Sequence, residues 1–370
     1  MAFESIKMSS HLVFLLPNLF PGGAERMIVS LANRLSSRHR VLLAVVRTAG
    51  PLRNELDDAV ELIDLGGRLK WFFRFPVLIW KIRPRAVVTT LWDINLCTLA
   101  MRVLFPQETR VIVREAIMPH VELSGSRIRG LVLFLYRLLY GRADCVISLS
   151  QRMKSSIQQI TKLPDAKIIV IKNGIHERRV DENGPVGARD YHAPYLIAVG
   201  RLAQQKGFDV LIQAFAQIKP QFPNHRLLIL GEGHQRQALD ALIRELGLQS
   251  CIELLGHVVN PLPLMAGAEL FVLSSRYEGL PNVVIESLSV GTPVLATVEN
   301  TSADEVILAG INGYLINKCK IGPMASALRE ILANIESFDR AAIASEARLR
   351  FSLDGMVRAY EQVLLETGKA

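Results

Sequence analysis

Short apolar runs alternate with amphipathic stretches along nearly the whole 370-residue chain. In the first half the runs predict strands at His11–Leu16, Val41–Val46, Val60–Asp64, Ala86–Thr90, Arg110–Val113, Cys145–Ser148 and Lys167–Ile171. Helical spacing fills the gaps. Met27, Ile28, Leu31, Ala32 and Leu35 share one face of Ala24–Ser36, and Ile94–Leu104 and Arg152–Thr161 repeat the pattern. Continuous apolar strands between helices are the mark of a parallel sheet covered on both faces. Ile175–Pro194 breaks the rhythm: it is rich in charge, contains Asn183-Gly184-Pro185, and reads as a linker. The alternation then restarts. Strands are predicted at Tyr195–Val199, Leu227–Leu230, Ile252–Leu254, Leu270–Leu273, Val294–Ala296 and Tyr314–Ile316, and helices include Phe208–Lys219 and Arg236–Leu246. Gly322–Leu365 reads as helical almost throughout.

The expected fold class is therefore α/β, with two doubly wound parallel-sheet domains. We place the first over residues 1–180 and the second over 181–350, with 351–370 as a helix that crosses back to the first. Tandem α/β domains commonly bind ligand in the cleft between them.

Composition narrows the function classes. Half of the residues are hydrophobic, enough for large cores, yet no uncharged apolar run approaches the ~20 residues that span a bilayer. The start, Met-Ala-Phe-Glu-Ser-Ile-Lys, lacks the features of a signal peptide, so a cytoplasmic location is expected. Cys97, Cys145, Cys251 and Cys319 are scattered, without metal or redox spacing, and read as free thiols. Charge is unevenly divided. Residues 1–185 carry 27 Lys/Arg against 16 Asp/Glu, while residues 186–370 carry 16 against 19. A basic half points to an anionic surface, either nucleic acid or anionic lipid.

The segment with the most chemical content is Glu278-Gly-Leu-Pro-Asn-Val-Val-Ile-Glu286. A predicted strand ends in Ser274-Ser275, and a loop then opens a helix. Such a loop offers backbone N–H groups to an anion, and neighbouring carboxylates can accept hydrogen bonds from sugar hydroxyls. Two further loops follow strands in the same half. Gly200-Arg201-Leu202-Ala203-Gln204-Gln205-Lys206-Gly207 supplies a fixed fork of donors and a mobile point charge. Two cations can stabilise a leaving diphosphate without a metal. Gly231-Glu232-Gly233 is a tight turn that lets backbone approach a ligand. Taken alone, the Arg201–Lys206 loop reads more readily as solvated charge and Gly231–Gly233 as a plain turn; the three in order point to a nucleotide-sugar site. No Asp-x-Asp occurs anywhere in the chain and the histidines lack ligand spacing, so no metal or other cofactor is expected.

These motifs resemble those of the retaining family 4 glycosyltransferases, which have the two-domain GT-B fold. The match includes Gly-Gly-Ala-Glu-Arg at 22–26, Lys-Asn-Gly-Ile at 172–175, and Val-Gly-Arg-Leu with Lys-Gly-Phe-Asp up to 209. It continues through Gly-Glu-Gly at 231–233, Glu-x7-Glu at 278–286, Gly-Thr-Pro-Val-Leu-Ala-Thr at 291–297 and Gly-Ile-Asn-Gly at 310–313. The resemblance implies that Arg201 and Lys206 hold the diphosphate. It implies that Glu286 bonds the ribose, that Glu278 contacts the donor sugar, and that the amides of Gly279, Leu280, Pro281 and Asn282 touch sugar and phosphate. Gly231 joins this donor set, and the Gly22–Gly23 loop is expected near donor phosphate and acceptor. Thr301 and Ser302 stand where relatives have a glycine-rich phosphate loop and are candidates to supply amides. Where many relatives carry a functional histidine, this chain offers Arg114 and Glu115, or His120; either choice remains open for the acceptor. The reaction implied keeps the anomeric configuration by front-face attack, without a carboxylate nucleophile.

The basic half concentrates its charge. Arg68–Arg85 holds six basic residues and no acid, with Trp71, Trp80 and three phenylalanines, and Ser126–Arg142 adds four arginines. Mixed aromatic and basic helices suit a bilayer interface, and each cation near an anionic leaflet contributes about 1 kcal/mol. Lys70, Trp71, Arg74, Trp80, Lys81, Arg127, Arg129 and Arg137 are the expected membrane-facing residues. No nucleic-acid module is recognised, so nucleic acid is not expected as a partner. The resulting expectation is a peripheral enzyme on the inner face of the cytoplasmic membrane. It would move a hexose or N-acetylhexosamine from a UDP-sugar to a lipid-linked saccharide in polysaccharide or O-antigen assembly. An epimerase on the same fold and a non-catalytic partner subunit are the competing readings.

Overall fold

The computed structural model of the chain describes residues 11–20, 22–67, 69–117, 127–175 and 193–366. The chain divides into two compact units, Met1–Gly174 with Leu353–Ala370, and Ile175–Ser352.

The first unit is built on a seven-stranded sheet. Its strands are β1 (His11–Leu16), β2 (Arg40–Val45), β3 (Val60–Asp64), β4 (Ala86–Thr90), β5 (Arg110–Arg114), β6 (Cys145–Ser148) and β7 (Ile168–Val170). Their order is β3-β2-β1-β4-β5-β6-β7, and every pair is parallel. Helices α1 (Gly23–Ser36), α2 (Lys70–Ile82), α3 (Trp92–Met101), α4 (Arg129–Leu139) and α5 (Gln151–Thr161) lie between the strands in sequence. The central strands are apolar at almost every position because both faces are covered: all of Leu12–Leu16 is inaccessible to solvent. Ser150 starts α5 by accepting the Met153 amide on its hydroxyl at 3.0 Å. The run predicted as one helix over Ile94–Leu104 begins two residues earlier, at Trp92, and tightens into a 3₁₀ turn over Arg102–Leu104. Pro106 lies just beyond that turn, where the chain cannot continue as helix.

The second unit carries a six-stranded sheet of order β10-β9-β8-β11-β12-β13. The strands are β8 (Tyr195–Val199), β9 (Arg226–Leu230), β10 (Ile252–Gly256), β11 (Leu270–Leu273), β12 (Val294–Thr297) and β13 (Gly313–Ile316). All pairs are again parallel. Its helices are α6 (Phe208–Ile218), α7 (Arg236–Glu245), α8 (Leu262–Gly267), α9 (Asn282–Ser289), α10 (Ile321–Ala333) and α11 (Arg340–Arg350).

The last helix, α12 (Leu353–Leu365), belongs to the first unit. Its Leu353, Met356, Val357, Tyr360, Val363 and Leu364 are buried in the same cluster as Leu31 and Leu35 of α1. His39 Nε2 and Glu361 Oε1, 2.7 Å apart, tie it to the end of α1. The division at Gly174/Ile175 falls before the broken stretch from which the linker was expected. The reason is local: the Ile175 amide already bonds the Phe351 carbonyl at 2.7 Å.

Candidate active site

In the second unit the strand order reverses between β8 and β11, and loops leaving the carboxyl ends of adjacent strands diverge there. Three of these loops carry the sequence signals, and backbone contacts lock them together. The amide of Gly200 donates to Leu230 at 2.9 Å and that of Leu202 to Glu232 at 2.9 Å. Gly231 holds φ +139°, and a Cβ there would lie 1.9 Å from the Gly200 carbonyl oxygen. Gly207 holds φ +63°, and its Cβ would lie 2.1 Å from the Ser274 oxygen. Side chains are excluded at both positions by conformation and by space.

This packing brings Lys206 to Glu278. The ammonium lies 2.5 Å from Glu278 Oε1, with the two side chains only 15% and 13% exposed. Ser275 Oγ donates to the same oxygen at 2.9 Å, and Ser274 Oγ donates to the Lys206 carbonyl at 2.7 Å. Arg201 is exposed, and among the described residues its side chain forms no hydrogen bond or ion pair. One cation is thus neutralised within the loop bed and the other is left for a ligand.

A clamp that the sequence reading missed holds the two loops in register. Arg276 grips Asp209 with both terminal nitrogens, at 2.9 and 2.7 Å. It also donates to the Gln204 carbonyl at 2.5 Å, and its amide bonds Gln205 O at 2.7 Å. Gln205 returns a bond from its side chain to the Tyr277 carbonyl at 3.0 Å. Burial alone would raise the Asp209 carboxyl, but the Arg276 hydrogen bonds and charge outweigh it and hold Asp209 below its ordinary range. Neither residue stands out by spacing; only the fold shows that they meet.

The amides of Gly279 and Leu280 are in buried residues, and among the described residues neither finds an acceptor. Buried N–H groups are nearly always paired, so a ligand oxygen is their natural partner. The Leu280 side chain itself is 5% exposed and packs inward. Pro281 caps α9 and has no N–H, so it cannot join the amide set expected over 279–282; it fixes the turn instead. Asn282 is the first residue of α9 and Glu286 lies one turn on, half-buried. Thr301 and Ser302 do not leave their amides open. Thr301 N bonds Val298 O at 3.2 Å and Ser302 N bonds Gly279 O at 3.3 Å, which fixes the loop behind the Glu278 turn. Among the described residues no group of three His, Cys, Asp or Glu side chains is placed to hold a metal ion.

The first unit gives the expected acceptor residues a different setting. Arg114 is fully buried and donates to Thr90 Oγ1 (3.1 Å), Asn173 Oδ1 (2.9 Å) and Tyr360 Oη (3.1 Å). Glu115, 1% exposed, accepts from Asn95 (2.9 Å), Tyr136 (3.2 Å) and Tyr140. The two tyrosine rings stack at 4.4 Å. Burial, then the Glu115 charge, pushes the Tyr140 phenol well above its ordinary value, so it stays a donor. Buried polar groups need partners; Arg114 finds its own in Thr90, Asn173 and Tyr360, Glu115 in Asn95 and the two tyrosines, and neither side chain reaches the surface. His120 lies outside the described residues. Gly22 directly precedes α1, and Gly23 is its first residue.

Of the expected membrane-facing residues, Lys70, Arg74, Trp80, Lys81, Arg127, Arg129 and Arg137 are exposed. Trp71 is not. It is 3% exposed and packs on Phe75 and Phe72, because it lies on the face of α2 that meets the sheet. The exposed large apolar side chains concentrate in this unit. On α2 they include Phe73 (79%), Val77 (67%) and Trp80 (51%), and on α4 Leu131, Phe134 and Leu138. Isolated exposed apolar residues are ordinary, but helix faces of them mark a contact surface.

Comparison with known proteins matches these features to named families. The model for glycosyl transferases group 1 matches residues 181–349, and that for glycosyltransferase family 4 matches residues 21–179. An uncharacterized glycosyltransferase of Methanocaldococcus jannaschii is 29% identical over 66% of this chain and 63% of its own length. An N-acetylgalactosamine-N,N'-diacetylbacillosaminyl-diphospho-undecaprenol 4-alpha-N-acetylgalactosaminyltransferase of Campylobacter jejuni is 29% identical over 85% of this chain and 88% of its own. Among solved structures, Anabaena Alr3699/HepE in complex with UDP-glucose aligns with a TM-score of 0.80 at 19% identity, over 96% of this chain and 99% of that one.

Proposed function

Because the chain belongs to the group 1 glycosyl transferases, with a family 4 domain preceding the group 1 domain, we propose that it transfers a hexose or N-acetylhexosamine from a UDP-sugar to a lipid-linked saccharide with retention of configuration. It is a glycosyltransferase with the two-domain GT-B fold. The observation that carries the finer reading is the bed formed by Lys206, Glu278 and the two open amides of Gly279 and Leu280, with unpartnered Arg201 beside it. A diphosphate supplies what this bed lacks, acceptor oxygens and negative charge. A sugar supplies hydroxyls for Glu278. Glu286, one turn into α9, takes the ribose.

In the reaction, the bond from the anomeric carbon to the β-phosphate oxygen breaks as negative charge builds on that oxygen. Arg201, Lys206 and the two amides stabilise it. The acceptor oxygen attacks from the same face, and its proton passes to the leaving phosphate, so nucleoside diphosphate and glycoside are the only products. Glu278 orients the sugar and balances the developing positive charge at the anomeric carbon. The cations do the work that a metal does elsewhere, so activity is expected to survive excess chelator. The acceptor class is supported by the diphospho-undecaprenol substrate in the Campylobacter enzyme's name and by the basic, apolar surface of α2 and α4, which suits attachment to an anionic leaflet. The UDP choice is supported by the UDP-glucose complex of the Anabaena protein. Assembly of a surface polysaccharide is the setting that joins these readings.

The test is transfer of labelled sugar from a UDP-sugar to a lipid extract by the wild type and by Lys206→Ala and Arg201→Ala. Losing one donor to a developing oxyanion costs about 3 kcal/mol, so each variant should lose roughly 10²-fold in rate. Unchanged rates would remove the diphosphate assignment.

A further inference from the structure

Among the described residues β3 pairs with β2 alone and forms one edge of its sheet. The edge is acidic: Asp57, Asp58, Glu61 and Asp64 are all exposed, and no base stands among residues 57–64. Beside it lies α2, whose charged residues are Lys70, Arg74 and Lys81. Between strand and helix runs a groove of about 410 Å³. Ile63 and Leu65 form one wall and Val77 and Leu78 the other, and Asp64, Arg74 and Lys81 also line it.

An acidic strip and a basic strip thus run side by side with an apolar slot between them. Neither strip neutralises the other. Among the described residues the side chains of Lys70, Arg74 and Lys81 form no hydrogen bond or ion pair. Asp58 has no side-chain partner there either, and Glu61 meets only the exposed Arg40, at 3.4 Å. The two strips are also in step. Arg74 and Lys81, seven residues apart on α2, are separated by about 10 Å along the helix axis. Glu61 and Asp64, three residues apart on β3, are separated by about 10 Å along the strand. Phe73, which also lines the groove, is 79% exposed, so a large aromatic ring projects beside an apolar slot that it does not fill.

We infer that this face binds a second copy of the chain, the two copies related by a two-fold axis along the groove. Such an axis sets each copy's acidic edge opposite the other's basic helix. Glu61 and Asp64 of one copy then meet Arg74 and Lys81 of the other, at matching spacing. Phe73 of each copy enters the other's groove and anchors the centre of the contact. The charge pattern selects this occupant. An anionic leaflet can draw on α2 and α4 but is repelled by the acidic edge, and a segment of one sign meets one of the strips wrongly. A surface with both strips side by side satisfies both, and this chain's own face is such a surface. Leu131, Phe134 and Leu138 of α4 take no part in the groove, so a pair of copies offers two such faces to a leaflet and attachment gains from both. The pairing is independent of the reaction proposed above.

The experiment is sedimentation of the full chain, without lipid, in wild type and two charge-reversed variants. Arg74→Glu with Lys81→Glu makes both strips acidic. Asp58→Lys with Glu61→Lys makes both basic; Asp64 is left in place because it accepts the Gly66 amide at 2.8 Å. Wild type should sediment as a dimer at micromolar concentration. Each variant should self-associate about a hundredfold more weakly, because like charges then face each other. An equimolar mixture of the two variants should recover the dimer, since both strips are matched again, and Phe73→Ser should weaken it about tenfold. Circular dichroism checks that each variant is folded, and recovery in the mixture is a second check, because an unfolded chain cannot restore its partner. A monomeric wild type would overturn the inference, as would a dimer that the charge reversals leave intact. So would a mixture of folded variants that stays monomeric. A monomer that floats with anionic vesicles and loses this in Arg74→Glu with Lys81→Glu would assign the groove to the leaflet instead.

Discussion

Glu278→Gln should tighten the binding of UDP while it slows sugar transfer. The Glu278 carboxylate is the partner of Lys206, at 2.5 Å with both side chains largely buried. A diphosphate that takes Lys206 must compete with that carboxylate. Two unit charges about 4 Å apart attract by roughly 4 kcal/mol at the effective dielectric of such a site. Desolvation offsets most of this, leaving on the order of 1–2 kcal/mol. Glutamine keeps the shape and the contact with Ser275 Oγ but removes the charge. Lys206 is then left without a counter-ion, and UDP gains the energy that displacing the carboxylate had cost, about a tenfold lower Kd. Transfer should move the other way, by roughly 10²-fold, because charge that acts on the transition state is lost. The assays are titration calorimetry with UDP and initial-rate transfer on the same preparations. UDP affinity that is unchanged or weaker in Glu278→Gln would refute the competition, and an unchanged rate would refute the electrostatic role of Glu278.

Arg276→Ala should separate stability from activity. The Arg276–Asp209 pair is partly exposed, so its loss should cost only about 1 kcal/mol of stability. Misplacing the Lys206 loop by an ångström can cost on the order of 10²-fold in rate; Arg276→Lys, lacking the fork, should rescue only in part, and a rate equal to wild type would dismiss the clamp. Asp209 titrates below its ordinary value in the folded chain. Its stabilising contribution is therefore present above the ordinary carboxyl value and lost as pH falls through the lowered one; this acid-range dependence should shrink in Arg276→Ala unfolding curves. Tyr140→Phe removes a donor from buried Glu115 and should destabilise the fold by about 1–3 kcal/mol in denaturant melts, whereas a change within error would mean the network tolerates the loss. Phe73→Ser with Val77→Ser should reduce flotation with anionic vesicles while leaving UDP affinity intact; equal flotation would show that α2 is not the attachment face.

Much of the architecture was legible because parallel strands covered on both faces leave continuous apolar runs such as Leu12–Leu16, and the spacing between them leaves room for helices. The three loops of the candidate site were legible for a related reason. Gly231 and the Glu278 turn follow strands, and Gly207 packs against Ser274 just past β11, so backbone must pass close to backbone. The depth of Arg114 and Glu115 was not legible because sequence shows charge but not burial: at the end of β5 they face a core that supplies Asn95, Tyr136 with Tyr140, and Tyr360 from three separate segments. Trp71 misled similarly, since a helix that is apolar nearly all round does not declare which tryptophan faces the sheet. Arg276 and Asp209, 67 positions apart, carry no local signal.

The central claim is that the loops after β8, β9 and β11 bind a nucleotide sugar through its diphosphate. A thermal-shift panel of nucleosides, nucleotides and nucleotide sugars tests it most directly. A ligand at a hundredfold excess over its Kd adds about 2.7 kcal/mol of stability, which raises the melting temperature of a domain of this size by several degrees. UDP and UDP-sugars should produce that shift, uridine should not, and Arg201→Ala combined with Lys206→Ala should abolish it. Shifts that are equal for uridine and UDP, or that survive in the double variant, would contradict the account.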